Sequence, residues 1–201
     1  MWTRNIVLMA CALCATLVER PQAQVSHPAP QRALPNVPAF RPFTDRPRQY
    51  VLVEPFKYRS PHGELIIVPA GFVTDFASIP GLLQSSFGPS VHDLPALVHD
   101  YLYWRHACTR SEADEIFYRA LQEFGVSQVR ILFIKVGLGL GGESAYEENG
   151  RDRRARLPRI IPESHRSIPI ITWREFRKQL RQQGIALDPL DAKPPLYCGS
   201  V

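Results

Sequence analysis

The residues of this chain best suited to chemistry are a histidine and an aspartate that are adjacent in the sequence, His99 and Asp100. An ordinary imidazole titrates near neutral pH, so His99 can take a proton from water. A titratable pair beside apolar residues costs free energy unless it is hydrogen-bonded or holds a metal. We therefore predict that His99 is a general base, and a base of this kind needs a second group to hold its tautomer.

Four further residues are predicted to complete the site. Tyr103 follows His99 by one helical turn and supplies a hydrogen-bond support, while Asp114 on the next predicted helix orients His99. Asp100 points about 100° around the helix from His99, so we assign it another task. Together with Asp75 it is predicted to bind a hard cation, for which calcium is the candidate because it takes carboxylate and carbonyl oxygens. Such a cation would polarise a carbonyl while His99 activates water.

Two residues are predicted to contact substrate, Ser78 close to Asp75 and Trp104 at the end of the His99 helix. Zinc is the alternative metal. Its simplest ligand set would be His92, His99 and His106, which recur every seven residues. Seven helical residues rise about 10 Å, which is too far for one coordination sphere.

Each of these side chains can also be read without a function. A buried histidine bonded to a nearby aspartate is often a satisfied polar pair in a protein core. Asp75 can be a turn residue that bonds its own backbone. Asp114 can be the acid of a capping box that begins with Ser111. The functional interpretation depends on these groups meeting in three dimensions.

Helices are predicted around this centre. Pro95 suits the first turn of the His99 helix, Asp93 can cap it, and an apolar stripe runs along it through Leu94, Leu97, Val98, Tyr101 and Trp104. The second helix starts at Ser111 and stops at Gly125, and the short connection makes the two helices antiparallel. A third, buried helix runs from Val129 to about Leu140 with close packing at Gly137 and Gly139. Residues 143–162 read as a surface loop, and a capping box at Thr172 opens an amphipathic helix that ends at Gly184.

Strands precede the helices. Residues 50–58 are rich in β-formers but interrupted by Pro55, and residues 64–68 return as a second strand, so the two predict an antiparallel hairpin. The predicted fold class is α+β, a short antiparallel hairpin or sheet packed on three main helices.

The predicted organisation has four parts. Residues 1–23 resemble a signal peptide with a 13-residue apolar run, and residues 24–48 form a proline-rich linker. Residues 49–142 form the core domain, and residues 143–201 form a basic C-terminal extension. We expect export to the periplasm or beyond the cell. Cys108 and Cys198 can then pair or remain as two thiols, and the sequence leaves both alternatives open.

The formal net charge of +5 is concentrated in two arginine-rich runs, residues 151–156 and 174–178. The common interpretation is a solvated surface, and the sharper one is attraction to lipid or another anionic membrane surface. Base-stacking aromatic residues do not alternate with these cations, so nucleic acid is the weaker partner. The oligomeric state is not encoded in any pattern.

Three ordered motifs carry a family resemblance: residues 71–80 (GFVTDFASIP), residues 99–103 (HDYLY) and residues 113–117 (ADEIF). With them, residues 50 to about 140 resemble the bacterial and phage family called domain of unknown function 1353. That resemblance implies no settled activity.

The pattern His-Asp-x-x-Tyr followed by an aspartate on the next helix is also similar to small secreted phospholipases of the A-two type. The resemblance implies a general base at His99, a calcium ligand at Asp100, and support from Tyr103 and Asp114. The chain departs from that family where Val98 and Leu102 stand near expected cysteines, and it lacks the glycine-rich calcium loop. The function expected from the sequence is a metal-assisted hydrolase acting on lipid esters. The alternative is a non-catalytic structural or binding module of phage or envelope origin.

Overall fold

The computed structural model describes residues 36–44, 49–59, 63, 65–76, 89–185 and 195–199, all within one compact unit that spans residues 32–201. The predicted signal peptide lies outside the described residues, and so does most of the predicted linker. Within the described part, no helix is both long enough and apolar enough to cross a membrane.

Among the described residues, five short strands form two antiparallel sheets. In the first sheet, β2 (Tyr50–Leu52) lies between β1 (Phe40–Pro42) and β5 (Val73–Thr74), with Val51 opposite Arg41 on one side and Val73 on the other. The second sheet is the predicted hairpin, β3 (Phe56–Arg59) with β4 (Leu65–Val68).

Strand β1 lies inside the C-terminal part of the segment assigned to the linker. A run containing Pro35, Pro38 and Pro42 looks unable to form a strand. An edge strand tolerates proline, however, since one of its sides makes no ladder hydrogen bonds.

Two antiparallel helices form the centre of the structure. Helix α1 (Leu94–Arg105) begins with proline in its first turn and is buried along nearly its whole length. Asp93 does not cap it. Its carboxylate accepts hydrogen bonds from the backbone N–H and hydroxyl of Ser90, in a 3₁₀ turn that precedes α1.

Helix α2 (Arg110–Glu123) also begins differently from the prediction. Its capping box is formed by Thr109 and Glu112, not by Ser111 and Asp114. Because Glu112 satisfies the helix N-terminus, the carboxylate of Asp114 is left for contacts with α1.

Helix α3 (Gln128–Arg154) is twice as long as predicted, and it continues through the segment read as a surface loop. The predicted boundary after residue 142 therefore lies inside a helix. The helix is not buried all round either, because five large apolar side chains are 55–87% exposed: Val129, Leu132, Phe133, Val136 and Leu140.

Gly142 and Gly150 of α3 pack closely against other residues, whereas a Cβ on Gly139 would meet nothing within 4 Å. A Cβ on Gly142 would lie 3.2 Å from the Tyr103 hydroxyl, so Gly142 lets α3 approach the candidate site.

Helix α4 (Trp173–Gln182) has the predicted capping box between Thr172 and Glu175. Its apolar side packs into a small second core with the three-stranded sheet. Gly71, with φ near +88°, admits the chain that leads to α4, since a Cβ there would clash with the carbonyl oxygen of Ile161. The fold is α+β, as predicted.

Cys108 and Cys198 form a disulfide, which settles the alternative that the sequence left open. The bond joins the short connection between α1 and α2 to the C-terminal segment across a separation of 90 residues. Cross-linking such distant positions restricts the unfolded chain.

Replacing both cysteines by serine should lower the free energy of unfolding by about 4 kcal/mol. Urea unfolding of the oxidised protein measures this, with a reductant added in a parallel series. The reductant should weaken the unmodified protein and leave the double variant unchanged, and an unmodified protein indifferent to reductant would refute the prediction.

Candidate functional site

The carboxylate of Asp114 joins the two central helices. Its Oδ1 lies 2.8 Å from His99 Nε2 and accepts a hydrogen bond of 2.6 Å from the Tyr103 hydroxyl. His99 and Tyr103 come from adjacent turns of α1, and Asp114 comes from the first turns of α2. The predicted meeting of these three side chains is therefore found in the structure.

Arg110 adds a cation to this group. Its guanidinium lies 3.5 Å from Asp114 Oδ2 and donates a hydrogen bond of 3.2 Å to the carbonyl of Leu138 on α3. Asp114 thus faces a histidine, a tyrosine and an arginine. Sequence reasoning missed Arg110, although its spacing of four residues from Asp114 is a recognisable signal.

Burial alone would raise the pKa of Asp114, but hydrogen bonds from His99 and Tyr103 outweigh burial and lower it. An ionised Asp114 can only accept, so the hydrogen on His99 Nε2 points to Asp114. In that tautomer the basic lone pair of the ring is on Nδ1. Burial, then the bond to Asp114, raises the pKa of Tyr103, which stays a donor.

Asp100 is held on the other side of α1 by β5 and the residues after it. Its Oδ2 accepts hydrogen bonds from the Thr74 hydroxyl and from the backbone N–H of Phe76, the latter at 3.1 Å. Phe76 has a positive φ of 54°. Left-handed backbone is unfavourable for a non-glycine residue, and here it accompanies an amide directed at a buried carboxylate.

Burial raises the pKa of Asp100, and the neighbouring carboxylate of Asp75 raises it further. Asp75 itself accepts from Gln49 Nε2 at 3.3 Å and lies 3.9 Å from the Arg159 guanidinium. Two carboxylates close together resist simultaneous ionisation, an arrangement found at many acid–base sites.

A cavity of about 460 Å³ lies beside these groups. Its polar lining includes Asp75, Asp100, Tyr103, Asn149, Asp152 and Arg159. Small residues of α3, among them Gly137 and Gly141, line the rest of it.

His99 is not among the lining residues. Its side chain is fully buried and its ring stacks on Phe117 with 4.5 Å between ring centroids. Direct contact with the cavity therefore belongs to Asp100 and Tyr103, and His99 lies behind them.

The structure describes one of the two predicted substrate contacts. Trp104 is fully buried in the core and lines neither this cavity nor the one next to it, so its contact with substrate stays a prediction. This burial agrees with the position of Trp104 at the end of the apolar stripe of α1. Ser78 lies outside the described residues.

Asn149 and Arg159 are cavity residues that the sequence analysis missed. Arg159 donates to the carbonyl of Val73 at 2.9 Å and to the side-chain oxygen of Asn149. Both residues come from the segment read as a surface loop, and nothing in their spacing relates them to residues 73–100.

The described residues fit a calcium ion poorly. Calcium takes six to eight oxygens. Asp75 and Asp100 supply carboxylates, but the cation of Arg159 lies next to Asp75. Across the described ranges there is no cluster of three or more His, Cys, Asp or Glu side chains suited to a metal.

Comparison with known proteins identifies part of the chain. Residues 50–136 match the model of a family described as "Protein of unknown function (DUF1353)". The predicted resemblance is confirmed over this DUF1353 region. The matched region includes His99, Asp100, Tyr103 and Asp114, whereas Asn149 and Arg159 lie beyond its end. No curated protein and no solved structure matches the chain, and the similarity to phospholipases rests on the residue pattern alone.

Asp100 and Asp114 of the DUF1353 region should affect stability in opposite directions. The pKa of Asp100 is raised in the folded state. Its contribution to the free energy of unfolding is therefore fully present below its unfolded pKa, and it is lost as pH rises through the folded pKa. Asp100→Asn keeps the oxygen that accepts from Thr74 and Phe76 but cannot ionise. Its melting temperature should exceed that of the unmodified protein at neutral and alkaline pH, and the gain should disappear in acid.

Asp114→Asn should do the reverse. The pKa of Asp114 is lowered in the folded state. Asp114 therefore stabilises the fold at pH values above its unfolded pKa, and this stabilisation is lost as pH falls through its folded pKa. The variant should lose about 2 kcal/mol at neutral pH, because two hydrogen bonds to a charged acceptor are weakened. Thermal melts from pH 3 to 9 test both variants. Shifts of the same sign in the two would contradict the electrostatics described here.

Proposed function

We propose that the chain is a hydrolase whose acid–base group is Asp100, with His99, Asp114 and Tyr103 as its supporting network. One observation carries the proposal. A buried carboxyl with a raised pKa lines a cavity, and the histidine that precedes it in the chain is oriented by an ionised aspartate. Core polar pairs have no need of a cavity, whereas a site that binds substrate does.

In the proposed reaction, Asp100 takes a proton from water as the water oxygen attacks an ester carbonyl carbon. It then returns that proton to the alkoxide that leaves, so the carboxylate is regenerated. His99 is a positioning residue in this scheme, because its ring is next to Asp100 in the chain and fully buried. Tyr103 lines the cavity and can donate a hydrogen bond to substrate when it exchanges partners.

The cavity residues favour an ester that carries a polar group, and they define the substrate class no further. Arg159 and Asn149 on the cavity wall can bind polar or anionic atoms. Lipid esters remain the substrates expected from the sequence. Calcium also remains a prediction, and because the described residues fit it poorly, no step is assigned to it.

The test is an assay of the purified chain on simple carboxylic esters and on mixed phospholipid vesicles, with calcium and with chelator. Asp100→Asn should lose about 100-fold or more in rate, the usual contribution of a general acid–base group. Because the same variant should be more stable at neutral pH, lost activity cannot be attributed to unfolding.

Matched controls are Glu147→Gln, an exposed carboxylate on α3, and His165→Gln, a histidine that neither cavity contacts. Both should keep full activity. His99→Gln should lower the rate and move the pH profile. Undiminished hydrolysis by Asp100→Asn would refute Asp100 as the acid–base group. Rates that chelator does not change would exclude calcium from the reaction.

The second candidate is a non-catalytic structural or binding module. It is favoured by the complete burial of His99 and its stacking on Phe117. In that case the unmodified protein hydrolyses no ester in the panel, while His99→Gln still destabilises the fold.

A further inference from the structure

A second cavity, of about 560 Å³, adjoins the first and has a different charge. One wall is the exposed side of α4, where cations recur at positions 174, 177, 178 and 181. This spacing of three, four and seven residues places them on one helix face. A neighbouring face of α4 is anchored in the second core by Trp173, Phe176 and Leu180. The cationic face is therefore fixed in its orientation.

Positive charge is in excess in this cavity. Arg159 faces the four cations of α4 from the other wall, which makes five cations in the lining. The acidic residues of the lining are Asp75 and Glu148. Asp75 lies at the far edge, where it also lines the first cavity.

Two of the guanidiniums are fixed by their own hydrogen bonds. Arg177 donates through Nε to the carbonyl of Pro158 and through Nη1 to Asp152, each at 2.8 Å. Arg159 is held by Val73 and Asn149. Fixed donors lose little conformational entropy when a ligand binds.

The remaining hydrogen-bonding capacity is also unusual for a solvated surface. Arg177 Nη2 is buried and has no hydrogen-bond partner among the described residues. Burial lowers the pKa of Arg177, and the like charge of Arg159 lowers it further against the effect of Asp152. Within the described ranges, no ion pair or side-chain hydrogen bond involves Arg174, Lys178 or Arg181. An anion would compensate all of these charges at once.

We propose that this second cavity binds the phosphate group of a small phosphate ester or of a lipid headgroup. Guanidinium groups match the oxygens of phosphate in pairs, and a dianion suits an excess of three positive charges better than a carboxylate does. A cavity of this size does not admit a nucleic-acid duplex, and its one aromatic residue, Trp173, is buried in the second core. The proposal concerns binding and does not depend on hydrolysis at Asp100.

If the proposed hydrolase activity holds, the position of the second cavity would let its phosphate site orient the substrate. Asp75, Glu148 and Arg159 line both cavities. A phosphate held by α4 would place the rest of its molecule toward Asp100 and Tyr103. The substrate would then be an ester that carries a phosphate nearby.

Calorimetric titration of the full chain with inorganic phosphate, at ionic strength held constant with chloride, tests the proposal. Saturable binding is expected. The triple variant Arg174→Gln, Lys178→Gln, Arg181→Gln leaves the hydrogen-bonded Arg159 and Arg177 intact. It should weaken binding about tenfold or more, since each lost partner is a charged hydrogen-bond donor.

The matched control removes the same charge elsewhere, with Arg151→Gln, Arg154→Gln and Arg156→Gln on the exposed end of α3 and just after it. It should bind phosphate as the unmodified protein does. Equal weakening in both triple variants would indicate a general charge effect and overturn the proposal, as would the absence of saturable binding.

A second titration distinguishes the sources of the phosphate. Vesicles of phosphatidylcholine with phosphatidic acid are compared with phosphatidylcholine alone. If the protein binds the acidic vesicles, phosphate displaces them, and the α4 triple variant no longer binds them, the ligand is a lipid headgroup. Phosphate binding without vesicle binding supports a small ester. Vesicle binding that phosphate does not displace would overturn the cavity as the site and indicate a membrane-facing surface instead.

Discussion

The structure around the candidate site depends on one buried carboxylate. Asp114 accepts from His99 and Tyr103 on α1 while it belongs to α2, so a single side chain fixes the register of the two central helices. Leaving either donor without its acceptor would cost free energy, because both side chains are buried. The chemistry of the site and the packing of the helices are therefore consequences of the same contact.

A second constraint acts on the other side of α1. The raised pKa of Asp100 means that the fold tolerates a carboxyl where burial and Asp75 both oppose its charge. Hydrogen bonds from the Thr74 hydroxyl and the Phe76 backbone N–H compensate part of this cost. Proteins keep such unfavourable arrangements mainly where they serve a function. Asp100 lines a cavity, and this cavity shares a wall with the cationic one beneath α4.

Local rules explain how much of this was predictable from the sequence. The spacing of His99, Tyr103 and Asp114 on two helices with a short connection is a matter of helical geometry, and the predicted contact is present. The identity of the α2 cap was wrong because Thr109 and Ser111 both precede an acid by three residues. The competing pattern was equally good, and only the bond between Thr109 and Glu112 decides it.

Longer-range features were not accessible in the same way. The exposed apolar residues of α3 made it read as a short buried helix, although the chain continues helical through a charged segment to Arg154. Arg159 reaches Val73 across 86 residues, a contact for which no sequence period exists. The contact of Asp100 with the cavity and the burial of His99 behind it likewise depend on how the helices pack, so the division of roles between these neighbours needed the structure.

The orientation of His99 by Asp114 is the central claim, and nitrogen NMR of the imidazole measures it directly. In a ¹⁵N-labelled protein at alkaline pH, where an ordinary imidazole is neutral, the Nε2 and Nδ1 resonances report which nitrogen carries the hydrogen. The structure predicts that Nε2 carries the hydrogen and that Nδ1 is unprotonated. It predicts that this preference is lost in Asp114→Asn. A hydrogen on Nδ1, or rapid averaging of the two nitrogens in the unmodified protein, would contradict the account.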